Sequence, residues 1–532
     1  MQTDIILKQE ARLKMQAGVN ILADAVKATL GPSGRNVCIR REQPPHTPFV
    51  TKDGVTVAAT INLTDKFMDM GAQLIKMAAQ KTAIDAGDGT TTSTILAQVI
   101  IREGLSALSA SANPVMIKKG MDKAVTIVVE DLYNQSKPVD DENLIHIATI
   151  AANNDPVIGE LVANAVKETG RDGVVHIVPS KSTETHFELT KGITIDKGYI
   201  NAYFQTNQAK GCAELDDVLI LFSERKISNL KDIQPILEFT IANKKSLLII
   251  AEDVDGDALT TILANKLNGR GKFCAIMQPG FGNMTLQMFD DIAAMTGGKV
   301  VSTHLGHSWA AVDPSWLGRA DHAVITQFST SISGGNGKAE VIEGRIKEVR
   351  AAIEGNPNEV EQEKLRNMRL AKLTSGIGVI HVGGQTDVEM KEKLDRIDDA
   401  KRATYAAIAE GVVPGGGTAY IRAMQSLEES KDEFTDKDEI IGRNIIATAL
   451  LAPFYQILEN GGMKKEDQDK LVVKVSAEDG FYGYNAKTGV CEDLLESGVI
   501  DPAKVSRVAL ENASSIAGMF LTTEVAISDA QK

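Results

Sequence analysis

Gly87-Asp88-Gly89-Thr90-Thr91-Thr92 runs straight into the apolar stretch STILAQVIIREG, and together they hold the components of a phosphate cradle. Glycines let a backbone approach a ligand closely, and a helix start offers N–H groups at the positive end of its dipole. Threonine hydroxyls add donors, and Asp88 supplies a hard oxygen for Mg2+ held against phosphate. The same residue types make an ordinary helix N-cap, so this motif alone leaves both possibilities standing. A second glycine-rich loop, Thr29-Leu30-Gly31-Pro32-Ser33-Gly34-Arg35-Asn36, and a third, Gly415-Gly416-Gly417 after Pro414, could pass against a nucleotide. Either could equally be a helix end and a bend. Asp53 in TKDG and Asp398-Asp399 in RIDDAKRA are carboxylates of the kind that hold Mg2+ and orient a water for phosphoanhydride hydrolysis. Asp-Gly is also a turn signal, and acids on a charged helix are ordinarily solvated.

These loops need elements to hold them. Residues 11–30 place Met15, Val19, Leu22 and Val26 at helical spacing, and Gly31-Pro32 stops the pattern. Residues 36–60 read as a β-hairpin, NVCIR and FVTKDGVTV joined by a Pro-rich turn. Helices are expected over 64–82, 90–109 and 113–134. From 173 to 250 the texture turns β-rich (GVVHIV, HFELT, ITID, VLILF, SLLII), with an amphipathic helix between the last two. That alternation continues through 272–277 and 298–302 and predicts an α/β domain. Residues 339–374 are charged and helical, an exposed helical hairpin; a short strand, GVIHV, and further helices follow. The first and last quarters match in texture and differ from the middle. The expected fold class is therefore multidomain α plus α/β, a helical domain built from both termini with an α/β domain inserted.

The 532 residues exceed what one core can organise. With 43% hydrophobic and 24% charged residues the composition is globular, and the net charge of −14 argues against nucleic acid or an anionic membrane as main partner. The opening MQTDIILKQEARLK lacks the apolar core of a signal peptide, and no apolar run approaches the ~18 residues of a membrane span. Cys38, Cys212, Cys274 and Cys491 lie far apart without a CxxC or Cys/His cluster, which argues against zinc and against a disulfide framework. Free thiols in a reducing cytoplasm are expected, so the chain is placed as cytoplasmic.

TLGPSGRN, TKDGVTV, GDGTTTSTILAQ, RIDDAKRATYAAIAEGVVPGGGTA and YGYNA, in this order, resemble the group I (GroEL-type) chaperonins from about Ala11 to about Asp529. The resemblance implies a chaperonin fold: a helical equatorial ATP-binding domain over 1–135 and 411–532, a small α+β intermediate hinge domain over 136–191 and 377–410, and an α/β apical substrate-binding domain over 192–376. It implies an ATPase that binds non-native proteins and folds them inside a ring cavity, using ATP, Mg2+ and K+. The implied partners are non-native clients and further copies of the chain in a heptameric ring, single or double, with or without a co-chaperonin.

By the same resemblance, Thr29, Leu30, Gly31 and Pro32 would contact the phosphates and the base side of the nucleotide. Asp88 would ligate Mg2+, with Gly89, Thr90, Thr91 and Thr92 on the phosphates and Lys52 and Thr91 near the monovalent cation. Gly415 and Gly416 would line the ribose and base, closed off by Asn485, Ala486 and Asp501. Asp399 would swing in and activate the hydrolytic water, Asp53 would support it, and Asp398 would face solvent. Hinges would fall at Pro138 and Gly411, and at Gly192 and Gly376. Tyr199, Tyr203, Phe204, Leu237, Leu259, Leu263 and Ala264 would face the cavity and bind clients, although such apolar stripes are otherwise core.

Gln234 stands where the family has a leucine, and Tyr455 and Lys464 replace an arginine and an acid that pair between rings. The hairpin RREQPPHTPFV is longer and Pro-rich, and no Gly-Met tail follows SDAQK. These departures support an alternative, a holdase or scaffold ring that binds ATP without a productive folding cycle.

Overall fold

The computed structural model describes residues 3–529 except 41–47, 153–154, 171–172, 181, 209, 281–282, 303–304, 356–365, 367–368, 371 and 375. The chain forms two compact units, Met1–Ala163 with Asp395–Lys532, and Asn164–Leu394.

The first unit is helical. Its long helices, Lys8–Lys27, Lys66–Asp85, Thr90–Ser109, Pro114–Gln135, Lys437–Leu450 and Ala503–Leu521, match the sequence expectation closely at the first four. Their apolar faces meet in one core that includes Leu22, Ile100, Ile117, Ile446 and Phe520. Local signals set the starts: Asp65 accepts from the Phe67 and Met68 amides, and Asn113 accepts from Val115 with Pro114 in the first turn. Residues Lys437–Asn460 are long and apolar enough to cross a bilayer by composition, yet 44% of an apolar 18-residue stretch within them is buried inside the protein. Ile445, Ile446, Ala449 and Leu450 within it belong to the common core. The two ends of the chain meet: Thr3–Leu7 pairs antiparallel with Val525–Asp529, Ile5 opposite Ile527.

One sequence expectation is corrected here. Val37–Ile39 and Phe49–Thr51 pair as a hairpin, but its second arm ends at Thr51, and Gly54–Thr60 is a helix. Asp53 caps that helix, accepting from the amides of Val55 and Thr56 at 3.2 and 2.8 Å. The cap outweighs the β preference of Val55, Thr56 and Val57. The turn of RREQPPHTPFV, at 41–47, lies outside the described residues.

The second unit holds a nine-stranded sheet. The strands run in the order Val174–Pro179, Gly376–Val382, His186–Ile195, Thr330–Gly335, Gly318–Ile325, Ala213–Ser223, Ser246–Ala251 and Phe273–Met277, with Val300–Val301 also on Ala213–Ser223. HFELT and ITID are thus one strand, not two. The parallel strand Ser246–Ala251 is buried along its whole length, as expected of an apolar run covered on both faces. Helices Leu230–Ala242 and Gly256–Leu267 pack on this sheet through Ile233, Ile236 and Ile262. The first arm of the charged hairpin is the helix Ala339–Gly355, while most of its second arm lies outside the described residues.

Candidate functional site

The loop 87–89 leads into the helix Thr90–Ser109, whose N-cap is Gly89 at φ +81°, and no side chain caps this end. Asp88 does not fold back as a cap; its Oδ1 accepts the adjacent Gly89 amide, at 2.6 Å. Gly89 is required twice over, because its backbone is left-handed and a Cβ would stand 2.7 Å from Val505 Cγ1. The helix start therefore keeps its dipole and its threonine hydroxyls for a ligand.

Two further elements close on it. The helix capped by Asp53 begins at Gly54, where a Cβ would lie 2.3 Å from Thr91 Oγ1. Only a residue without a side chain lets Asp53 and the 90–92 turn come together. Thr29, buried, follows the end of Lys8–Lys27, and its Oγ1 lies 3.5 Å from Thr91 Oγ1. Leu30 and Gly31 continue this turn, braced by Asn460, whose Nδ2 donates to the carbonyls of Lys27 and Leu30 at 3.0 and 2.9 Å. Lys52 and Pro32 are exposed.

The 414–417 turn arrives on the strand pair Val412–Pro414 and Ile500–Pro502, which sets Asp501 opposite Val413. Gly415 packs on Val499, its amide donating to that carbonyl at 3.0 Å, whereas Gly416 has open space beside it. Asn485, buried, is fixed by its own amide donating to Glu492 Oε1 at 2.7 Å and by accepting from the Lys487 amide, with Ala486 between. Thr29, Asp53, Asp88, the threonines, Gly415, Gly416, Asn485, Ala486, Asp501 and Asp399 all belong to the same compact unit.

The electrostatics tie the carboxylates together. Burial, then the charges of Asp53 and Asp88, holds Asp399 well above the usual carboxylate range, with Asp398 adding and Arg402 opposing. Asp88 is also pushed up, by burial first and then by Asp53, against the pull of the Gly89 hydrogen bond. Asp501 is pushed up to about 7 by burial and then by Asp88, and a backbone hydrogen bond from Gly416 opposes this. Carboxylates that raise one another in this way gain from a cation between them. Their donors are all hard oxygens, and the threonine hydroxyls extend the set, so the residues fit Mg2+.

The expectation that Asp398 faces solvent is corrected. It is buried and held by Arg402 Nε at 2.9 Å and Lys401 Nζ at 3.1 Å. Arg402 went unread in the sequence; it also donates to the Ala83 carbonyl at 3.0 Å and packs under Gly87. The four-residue spacing of Asp398 and Arg402 was the available signal.

A model of the TCP-1/cpn60 chaperonin family matches residues 22–531. The chain belongs to the TCP-1/cpn60 chaperonin family. Its function is accordingly that of an ATP-dependent chaperonin, and chaperonins work as ring oligomers on non-native proteins. Among solved structures, the chain is similar to the chaperonin gp146 from the bacteriophage EL 2 (Pseudomonas aeruginosa) in two crystal forms, both in the presence of ATP-BeFx. The identity is 21%, 99% of each chain is covered, and the TM-scores are 0.65 and 0.62.

In the second unit of this chaperonin the residues expected to bind clients divide. Tyr203 is 65% exposed, Ala264 is exposed, and Tyr199, Leu259 and Leu263 are partly buried. Phe204 and Leu237 are 0% and 3% exposed and sit in the sheet core, which corrects their placement as cavity-facing residues. Leu237 follows the inward side of its stripe with Ile233 and Ile236, and Phe204 is buried at the end of the short turn Ala202–Phe204. Leu267, on the other helix, is 64% exposed.

Proposed function

We propose that this chain, as a group I-like chaperonin, binds ATP at the 87–92 turn and hydrolyses it with Asp399 to drive a folding cycle. The observation that carries this is the uncapped helix start at Gly89–Thr90, met by the coupled carboxylates of Asp88, Asp53 and Asp399. Thr90, Thr91 and Thr92 with their amides receive the phosphates, and Thr29, Leu30, Gly31 and Pro32 flank them. Gly415 and Gly416 leave room for the ribose and base, walled by Asn485, Ala486 and Asp501. Asp88 would hold Mg2+, which when bound neutralises charge on the phosphate oxygens. Lys52 and Thr91 would lie near K+.

Asp399, held above the usual carboxylate range by burial and by Asp53 and Asp88, is suited to take a proton from the attacking water as the water oxygen bonds to the γ-phosphorus and the bond to ADP breaks. Asp53 is already committed as a helix cap, so it positions rather than accepts. The ATP-BeFx used with gp146 is consistent with nucleotide at this fold's site. We further infer equatorial, intermediate and apical domains at 1–135 with 411–532, 136–191 with 377–410, and 192–376. A heptameric ring, cytoplasmic placement and apical client capture through Tyr199, Tyr203, Leu259, Leu263 and Ala264 complete the proposal.

A holdase or scaffold ring is the second reading, favoured by Gln234, exposed and hydrogen-bonded to Glu238 at 2.8 Å where the family has leucine. ATP turnover by the wild type and Asp399→Ala, with ring mass from the same samples, separates them. Wild-type turnover lost in assembled Asp399→Ala rings supports the folding machine, whereas wild-type rings without turnover leave only the holdase.

A further inference from the structure

We propose that His186, Glu188 and His381 bind a zinc-class divalent transition-metal ion that staples two strands of the Asn164–Leu394 unit. Nothing in their spacing along the chain joins these residues. Sheet register does: Gly376–Val382 runs antiparallel to His186–Ile195 with His381 directly opposite His186. Glu188, two residues beyond His186, projects from the same face of its strand. The backbone alone therefore sets two imidazoles and a carboxylate side by side.

The side chains use that placement. The two imidazole rings stack with centroids 4.9 Å apart and planes 16° from parallel. His381 Nε2 lies 3.6 Å from Glu188 Oε2, and one donor atom from each of the three residues lies within 4.8 Å of the others. Tetrahedral zinc with ligands at about 2.0–2.1 Å spaces its donors about 3.4 Å apart. His186 and Glu188 are exposed and His381 half-buried, so side-chain rotation closes the difference with the strands in place.

The donor set selects the metal. Two imidazole nitrogens and one carboxylate oxygen, with a fourth position open, suit zinc and its neighbours, whereas Mg2+ and Ca2+ favour all-oxygen sites. The surroundings favour a cation as well. Glu188 and His381 line a cleft of about 380 Å³ that also carries Asp216, Asp217 and Asp321. His322, on the same cleft, is committed to Asp216 at 3.1 Å and does not compete. The absence of cysteine motifs argued against zinc in the sequence, and it bears only on sulfur-ligated sites. The same two strands carry Gly376 and Gly192, with Gly376 opposite Lys191, so a bound metal would clamp the strand pair close to those glycines.

The test titrates metal-free, full-length protein with zinc chloride by calorimetry and with cobalt(II) by visible absorption. Wild type, His186→Ala, His381→Ala and Glu188→Gln are compared, each checked for fold by circular dichroism. The expected result is one equivalent of zinc per chain and the strong visible bands of four-coordinate cobalt. Each histidine variant should then weaken zinc at least about tenfold and abolish any zinc-dependent rise in Tm. His186 is exposed, so its variant serves if His381→Ala fails to fold. No saturable zinc binding in the wild type, or equal affinity in a folded histidine variant, overturns the proposal. Both readouts are taken without nucleotide, so a failure here is distinct from a failure of the ATPase.

Discussion

Asp398 and Asp399 are adjacent in the chain yet electrostatic opposites. Asp398 is neutralised by Arg402 and Lys401, whereas Asp399 faces Asp53 and Asp88 and is held well above the usual carboxylate range. A helix turns successive residues through about 100°, so one carboxylate locks its helix in place while the next is left reactive.

The two should therefore fail differently. Asp399→Asn should lower ATP turnover at least about a hundredfold with little change in Tm, since it relieves repulsion. Asp398→Asn should cost about 3 kcal/mol by leaving Arg402 without its buried partner, with turnover falling only as the fold is lost. Steady-state hydrolysis and thermal melts on both variants check this, and equal turnover loss with equal stability would undo the division of roles.

The raised carboxylates fix the sign of a pH effect. A carboxylate whose folded pKa exceeds its unfolded value binds its proton more tightly in the folded chain, so stability falls as pH rises between the two. For Asp501 that window runs from 3.8 to about 7, and Asp88 and Asp399 act in the same direction. Without nucleotide and Mg2+, Tm should drop as pH rises across this range, and Asp501→Asn should flatten the drop. Added Mg2+ should restore Tm most at the high-pH end, where the carboxylates are ionised. A Tm that climbs through the window would contradict the coupling.

Close approach makes two glycines sensitive. Gly54→Ala puts a Cβ 2.3 Å from Thr91 Oγ1, and Gly89→Ala adds strain at φ +81° to a 2.7 Å clash with Val505. Each should cost about 1–3 kcal/mol and weaken ATP binding by a larger factor than Lys52→Ala. Fluorescent-nucleotide titration with parallel melts distinguishes the outcomes.

Client capture should track exposure. Tyr203→Ser should reduce suppression of aggregation of an unfolded client and leave Tm almost unchanged, because Tyr203 is 65% exposed. Leu237→Ala should cost about 2–5 kcal/mol, because that side chain is core. If Leu237→Ala blocks capture at full stability, the buried position does not describe the client-binding state.

Helical periodicity made Lys66–Asp85, Thr90–Ser109 and Pro114–Gln135 readable, and glycine-rich spacing marked the loops of the site. Exposure was not readable, since a stripe such as Ile233, Ile236, Leu237 looks the same whether it faces a core or a groove. Gly54–Thr60 was missed because its β-branched residues spoke louder than a single capping aspartate. The pairing of His186 with His381 needed strand register, which only the assembled sheet supplies.

The pairing of Thr3–Leu7 with Val525–Asp529 has a consequence for synthesis. Arg12 at the start of the first helix must wait 511 residues before the Thr523 carbonyl it binds leaves the ribosome. Asn164–Leu394 is complete long before that, so it can fold during translation, while the helical unit closes only afterward. A nascent chain arrested before residue 525 should thus carry a structured middle and two loose arms. The first helix thus waits on a strand made some five hundred residues later before the helical unit around it can close.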